Sequence, residues 1–161
     1  MPPFKKPHQK LDQNKIIQQN EEKTSFQILP KGLNIVWGND PRYWKVPESG
    51  PAELIQVSWL EVSSVVIVGA EKKYKVSFKV NVKEDGFGWN GTDVLVMAKV
   101  GKTGRYSYNV TNLNPGERNK SVDIEIEARK DSQLHFGLYE VWSGKWKGGL
   151  EIIEAVVQSV D

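Results

Sequence analysis

Two segments decide the fold: Tyr74-Lys-Val-Ser-Phe-Lys-Val-Asn-Val82 and Val122-Asp-Ile-Glu-Ile-Glu-Ala128. In both, every second residue is apolar and the residues between are Lys, Ser, Asn, Asp or Glu. A period of two with one polar side predicts an antiparallel strand that buries one face and leaves the other in water. The two segments are therefore interpreted as half-buried strands of a folded β domain.

Further strand-like segments surround these two. Turn-forming runs rich in Gly, Pro, Asn and Asp separate them. The additional predicted strands cover residues 33–37, 55–62, 65–68, 94–100, 105–110, 134–141 and 150–157. The last segment also has the composition of a short helix, but we interpret it as a strand buried on both faces. Many short strands at this spacing predict an all-β fold, a jelly-roll-like antiparallel β sandwich.

Composition narrows the class of protein. The chain has 161 residues, enough for one domain with its own core. It has no Cys, which excludes disulfides, thiolate metal sites and Cys nucleophiles, and its two histidines argue against an all-histidine metal site. No apolar run approaches the ~20 residues of a membrane helix, and no secretory signal follows the basic start. We therefore expect a cytoplasmic protein that is not classically secreted.

The N-terminal segment has a different character from the rest. Residues 1–25 carry five Lys against three acidic residues, so the whole net charge of +2 lies there. This segment is predicted to be a short arm, either flexible or in contact with a dimer partner, with a short helix over 12–22 as an alternative. Residues 26–161 form the predicted sandwich domain. A nucleic-acid-binding role for the arm has weak electrostatic support, because its charges nearly offset each other.

Motifs for catalysis are weak. The sequence has no nucleophile elbow, no phosphate-binding loop and no dinucleotide fingerprint in the right context. We expect no cofactor, no resident metal and no enzymatic activity. Glycoside hydrolysis needs two carboxylates at a set separation, and Asp40 and Glu140 are the nominees, but sequence alone does not place them together.

Two Trp-rich segments carry the functional signal. Residues 37–45 and 140–148 each combine two Trp with amide, acidic or basic side chains in a predicted turn. An indole ring can stack on the apolar face of a pyranose while carboxylates and amides bond its hydroxyls. Two such turns favour a sugar-binding site over simple core packing of the Trp residues. The candidate ligand-binding residues are Trp37, Asn39, Asp40, Trp44, Glu140, Trp142, Trp146 and Lys147.

Several of these side chains have alternative interpretations. The apolar face of the strand over 134–141 ends in Glu140, so either the strand runs into solvent there or the carboxylate faces a ligand. Trp59 lies inside a strand pattern and is predicted to be core. Trp89 lies in a Gly-rich predicted turn and is expected to be an exposed secondary contact. The orientation of Trp142 stays open.

Three stretches of the chain resemble the phloem protein 2 family of Nictaba-related plant lectins. They are Leu33-Asn-Ile-Val-Trp-Gly-Asn-Asp-Pro-Arg-Tyr-Trp44, Ala52-Glu-Leu-Ile-Gln-Val-Ser-Trp-Leu-Glu61, and Leu138-Tyr-Glu140 with Lys145-Trp-Lys-Gly-Gly149. The resemblance extends from Phe26 to the C-terminus. The short arm and small size are most similar to the compact cucurbit members.

The resemblance implies a jelly-roll lectin that binds N-acetylglucosamine oligomers (chitooligosaccharides) and the chitobiose core of N-glycans. It also implies a homodimer of the cytoplasm or phloem sap. The family's paired Trp residues fall on Trp37 and Trp44, its C-terminal acid on Glu140 and its following Trp on Trp146. A second family acid is Gln133 here, so that position supplies no charge.

These observations lead to one reading and one alternative. The chain is predicted to be a non-catalytic lectin in which Trp37 or Trp146 stacks on a sugar ring and Trp44 shapes the pocket wall. Asn39, Asp40 and Glu140 would bond hydroxyl and acetamide groups. The alternative is an RNA-binding transport protein of the phloem stream.

Overall fold

The computed structural model describes residues 6–160. Two single-turn 3-10 helices, Gln13–Lys15 and Pro30–Gly32, accompany the strands in this part of the chain. The strands are β1 (Ile16–Gln18), β2 (Ser25–Ile28), β3 (Asn34–Ile35), β4 (Trp44–Lys45), β5 (Ala52–Leu54), β6 (Leu60–Ile67), β7 (Lys72–Phe87), β8 (Val94–Val100), β9 (Ser107–Thr111), β10 (Lys120–Ala128), β11 (Gln133–Glu140) and β12 (Gly148–Ser159).

The strands form two antiparallel sheets. In the seven-stranded sheet, β12 pairs with β7 along one edge and with both β2 and β5 along the other. The strand β10 lies beyond β7, β1 beyond β2 and β4 beyond β5. The five-stranded sheet has the order β3-β6-β11-β8-β9. This architecture confirms the predicted all-β sandwich.

The core lies between the sheets and follows the alternation in the sequence. On β7 and β10, Val122 is paired with Phe78 and Ile124 with Val76, and all four side chains are buried. Their polar neighbours form the outer face, where Lys75 reaches Asp123. Burial of each large apolar side chain stabilises the fold by about 1.5–3 kcal/mol, so this alternation is a major source of stability.

Some strand boundaries differ from the sequence-based prediction. The two segments predicted over 55–62 and 65–68 are one strand, β6, which begins only at Leu60. β7 continues to Phe87 through part of the predicted turn. β12 is a strand and not a helix, but it is longer than predicted and only alternate residues are fully buried. Pairing with partner strands on both edges extends β7 and β12 beyond their most regular sequence pattern.

The described part of the N-terminal arm lies on the sandwich of its own chain. Gln9 forms a bridge with Ile35, and its buried side-chain Nε2 donates to the carbonyls of Pro30 at 3.0 Å and Leu33 at 2.9 Å. Farther along, β1 adds a strand beside β2. Residues 12–22 therefore form a 3-10 turn and a strand in place of the alternative helix. Arm residues 1–5 lie outside the described residues.

Candidate functional site

The strand order brings the two Trp-rich turns to the same end of the sandwich. Strand β6 lies between β3 and β11. Just after β3, the backbone N–H of Val36 donates to the carbonyl of Glu61 at 3.1 Å. On the other side of β6, Leu60 is paired with Glu140. We call the surface formed by loop residues 36–43, 55–59, 88–93 and 141–147 the Trp end.

Four of the six Trp side chains are exposed at the Trp end. Trp44 and Trp89 are buried, with exposed fractions of 2% and 0%. The exposed four are Trp37 at 37%, Trp59 at 46%, Trp142 at 60% and Trp146 at 53%. A concentration of large exposed apolar side chains is typical of a binding surface, because it is costly to leave in water.

The first Trp turn is held by the N-terminal arm. The Trp37 ring contacts the rings of His8 and Tyr43, with centroid distances of 5.0 and 5.6 Å. Its backbone N–H donates to His8 Nδ1 at 2.9 Å. Asn39 Nδ2 donates to the carbonyls of Lys6 and His8 at 3.0 and 3.2 Å. Both amide protons of Asn39 are therefore engaged within the protein.

Asp40 and Trp44 have internal partners in the same turn. The Arg42 Nη2 and Nε atoms donate to the Asp40 carboxylate at 2.7 and 3.1 Å. These hydrogen bonds from Arg42 lower the pKa of Asp40 below its usual value. Trp44 pairs with Leu54 between β4 and β5 and is buried. Trp44 therefore packs in the core beneath the turn, and Trp37 is the exposed aromatic.

The second Trp turn is built on a buried ion pair. Lys147 Nζ lies 2.9 Å from Glu140 Oε1, and the exposed side-chain fractions are 0% and 2%. Lys147 Nζ also donates to the carbonyls of Ser58 at 2.9 Å and Lys145 at 2.8 Å. The three protons of the ammonium group thus have three acceptors, which is the condition for burying such a charge.

The Glu140 carboxylate is equally well bonded. Its Oε1 accepts from Ser143 Oγ at 2.6 Å, and its Oε2 accepts from the backbone N–H groups of Trp142 and Ser143 at 3.2 and 3.1 Å. Burial alone would raise the pKa of Glu140, but the hydrogen bonds from Ser143 and Lys147 outweigh it and lower the pKa. The pair folds the chain between its members into a tight turn.

The structure shows Glu140 and Lys147 bonded to each other, and direct contact of either with a ligand stays a prediction. The Glu140 carboxylate bonds a buried ammonium of its own chain, and Glu140 also belongs to the lining of the groove beside this turn. The pair holds up Trp142 and Trp146, which are the most exposed Trp side chains of the described residues. In the sequence, the opposite charges of Glu140 and Lys147 on either side of this turn are the feature that could have indicated the ion pair.

The structure reverses the predictions for Trp59 and Trp89. Trp59 is 46% exposed because it lies just before β6 and its side chain faces outward, as that of Glu61 does. Its Nε1–H donates to Glu61 Oε1 at 2.9 Å. Within β6, Leu60 is the first side chain that faces the core, and the predicted strand over 55–62 did not reveal this register. Trp89 folds back under the Trp end and donates from Nε1 to the carbonyl of Gly148 at 2.9 Å.

An open groove runs beside the second Trp turn. One wall is formed by the turn itself and the other by the residues that lead into β8. Its lining includes Thr92, Asp93, Leu95, Trp142, Ser143 and Lys145. The groove combines an indole ring with hydroxyl, carboxylate and ammonium groups. Such a mixture suits a ligand that has both apolar faces and hydroxyl groups.

Two solved structures of similar architecture are carbohydrate-binding modules. A family 35 carbohydrate-binding module from Clostridium thermocellum has a TM-score of 0.54 at 9% identity, covering 85% of this chain and 99% of that one. The C-terminal family 6 carbohydrate-binding module of a marine laminarinase from Zobellia galactanivorans has a TM-score of 0.52 at 12% identity, covering 84% and 99%. At such identities the likeness shows the fold alone, a sandwich of two antiparallel β-sheets.

Sequence comparison identifies the family. Residues 23–158 match the family described as Phloem protein 2. The chain is 38% identical to Protein PHLOEM PROTEIN 2-LIKE A9 of Arabidopsis thaliana, with 97% of this chain and 98% of that protein aligned. Protein PHLOEM PROTEIN 2-LIKE A1 of the same plant is 24% identical, with 79% and 58% aligned. This chain therefore belongs to the phloem protein 2 family.

Within residues 6–160, no helix has the length and apolarity needed to span a membrane. In the same range, no three His, Cys, Asp or Glu side chains converge in a way that could hold a metal ion.

Proposed function

We propose that this protein is a non-catalytic lectin that binds N-acetylglucosamine oligomers, including the chitobiose core of N-glycans, at the Trp end. The observation that carries the proposal is the exposure of four indole rings at one end of a β sandwich whose fold is similar to that of carbohydrate-binding modules. An indole excludes water from the apolar face of a sugar ring, while nearby polar groups bond its hydroxyls. Membership in the phloem protein 2 family supports the same activity.

Each predicted site residue takes a role that fits its surroundings. Trp142 and Trp146 stack on sugar rings, since they are the most exposed of the indoles. Trp37 contributes the free part of its ring. Glu140 and Lys147 act as positioning residues that set the turn, because their polar atoms are bonded internally. Trp44 supports the first turn from below, while Asn39 and Asp40 fix its shape.

Calorimetric titration with chitotriose tests this proposal. The parent protein should bind saturably, and Trp142→Ala and Trp146→Ala should each weaken binding about tenfold, or about 1.4 kcal/mol. Tyr108→Ala is the matched control, because Tyr108 is 58% exposed near the start of β9, at the end of that strand away from the Trp end. Absence of heat and of any Trp fluorescence change at millimolar sugar would refute the lectin proposal.

Salt dependence separates this function from the RNA-binding alternative. Binding through phosphate contacts weakens steeply as salt rises, whereas stacking on a neutral sugar responds little. We expect the affinity for chitotriose to be nearly constant between low and moderate salt. Tight RNA binding that disappears with added salt, together with no sugar binding, would favour the alternative.

A homodimer in the phloem sap or the cytoplasm completes the proposed function. Single shallow sugar sites are weak, and two sites on one particle gain avidity when both reach the same glycan surface. Light scattering coupled to gel filtration should give twice the chain mass of 18.2 kDa. A monomer at micromolar concentration would exclude a stable dimer without affecting the single-site sugar measurement.

A further inference from the structure

Trp59 is an exposed indole that the site inferred from sequence does not include. It lies one residue before β6, between the two Trp turns. On one side, the chain that leads to Trp37 is bonded to β6 at Glu61, and on the other the end of β11 is paired with β6 at Leu60. Neighbouring strands are about 4.8 Å apart, so the three positions span about 10 Å, more than a single sugar ring.

The Trp59 ring is held in one orientation by its own polar group. Its Nε1–H donates to Glu61 Oε1 at 2.9 Å. The indole N–H is the only hydrogen-bond donor of this side chain, so what it offers to a ligand is its apolar face. A side chain that is fixed before binding loses less conformational freedom when the ligand arrives.

The backbone that leads to Trp59 is fastened to the second Trp turn. The N–H of Val57 donates to the carbonyl of Lys147 at 3.0 Å, and the N–H of Lys147 donates back at 2.9 Å. Lys147 Nζ also donates to the carbonyl of Ser58 at 2.9 Å. The buried ion pair thus fixes both the second turn and the platform beside it.

We propose that Trp59 forms an additional subsite between Trp37 and Trp142, so that the Trp end selects oligomers of more than two sugars. This inference rests on the proposed lectin function. A disaccharide is bound by the second turn alone, whereas a tetrasaccharide also stacks one ring on Trp59. The affinity for the sugar therefore rises with the number of its rings, and Trp59 is the residue that determines this increase.

Titrations of parent and Trp59→Ala with chitobiose and chitotetraose test the subsite. The parent should bind the tetramer more tightly than the dimer. Trp59→Ala should lose about tenfold for the tetramer and keep the parent's affinity for the dimer. Tyr108→Ala should bind both sugars as the parent does. Trp59→Phe, which keeps an aromatic face, should retain most of the gain with chain length.

Each failure has its own signature. If the parent binds neither sugar, the lectin function itself fails and the subsite fails with it. If the parent binds both sugars and Trp59→Ala weakens neither, or weakens both equally, only the subsite is wrong. Indole N–H signals in a ¹H–¹⁵N spectrum give a second readout that needs no destabilising variant. The Trp59 signal, assigned from the Phe variant, should shift with the tetramer and not with the dimer.

Discussion

The two Trp turns have similar compositions but different supports. The first is held from outside by Lys6, His8 and the exposed Asp40–Arg42 pair. The second is held from inside by the buried Glu140–Lys147 pair. Removing the first kind of support leaves polar groups that water can satisfy, whereas removing the second leaves a buried charge. Turns of similar composition are thus supported at the surface in one place and around a buried ion pair in the other.

The largest effect is expected from breaking the internal support. Lys147→Met leaves the Glu140 carboxylate buried without its counter-ion and should lower the free energy of unfolding by about 3–5 kcal/mol. Urea unfolding would measure this loss, with Arg42→Met in the first turn as the matched control that changes little. The double variant Glu140→Gln/Lys147→Met should recover part of the stability. Equal effects of Lys147→Met and Arg42→Met would contradict the contrast between the turns.

The arm that supports the first turn gives the next largest effect. Gln9→Ala leaves the buried carbonyls of Pro30 and Leu33 without their side-chain donor and should cost about 1–3 kcal/mol. Gln13→Ala, an exposed amide in the same arm, should be nearly silent. Thermal unfolding monitored by circular dichroism would compare them. An unchanged midpoint for Gln9→Ala would indicate that the arm is detached in solution.

A smaller difference between the two turns is expected in their contributions to the affinity for sugar. Trp142→Ala should weaken chitotriose binding about tenfold, or about 1.4 kcal/mol, and Trp37→Ala about threefold. The Trp37 ring contributes less because His8 and Tyr43 already cover part of it. Calorimetry of the two folded variants measures the difference. The reverse order would assign the main stacking platform to the first turn.

The smallest expected effect is the change with acidic pH in the stability that Glu140 contributes. The pKa of Glu140 in the folded protein lies below its usual value. Its stabilising contribution is therefore present above about pH 4.3 and is lost as the pH falls through the lowered pKa. The stability difference between parent and Glu140→Gln should be constant from pH 7 to pH 5 and shrink in more acidic solution. A difference that grows on acidification would reverse the assigned direction.

The fold was accessible from sequence because alternation is a local property. The regular pattern from Tyr74 to Val82 contains the information about which face is buried, and the structure keeps that face. Whether each Trp side chain is buried or exposed, in contrast, could not be predicted from its sequence neighbours. Trp89 is buried because Gly148, far along the chain, supplies an acceptor for its N–H. Trp59 is exposed because β6 begins one residue later, a register that the flanking apolar residues conceal.

The candidate site could be predicted only in part, because its geometry also depends on contacts between residues far apart in the sequence. The Trp-rich turns and the charges of Glu140 and Lys147 were visible as unusual residue types in predicted turns. The burial of the two charges goes together with the pairing of Val57 with Lys147, which joins distant parts of the chain and is not visible in the sequence. Composition therefore indicated where the functional residues lie, and the three-dimensional pairing separated the residues that support the surface from those that form it.

The pairing of β12 with both β2 and β7 also affects how the protein folds. The side-chain contact between Gln27 and Glu154 joins residues 127 positions apart. Closing so long a loop costs entropy before any contact repays it, so chains with many distant pairings fold slowly. We expect refolding on the millisecond-to-second scale, with the seven-stranded sheet assembled late. Until then, the edges of β2 and β7 are open to pairing with other chains, so dilute conditions should favour correct refolding.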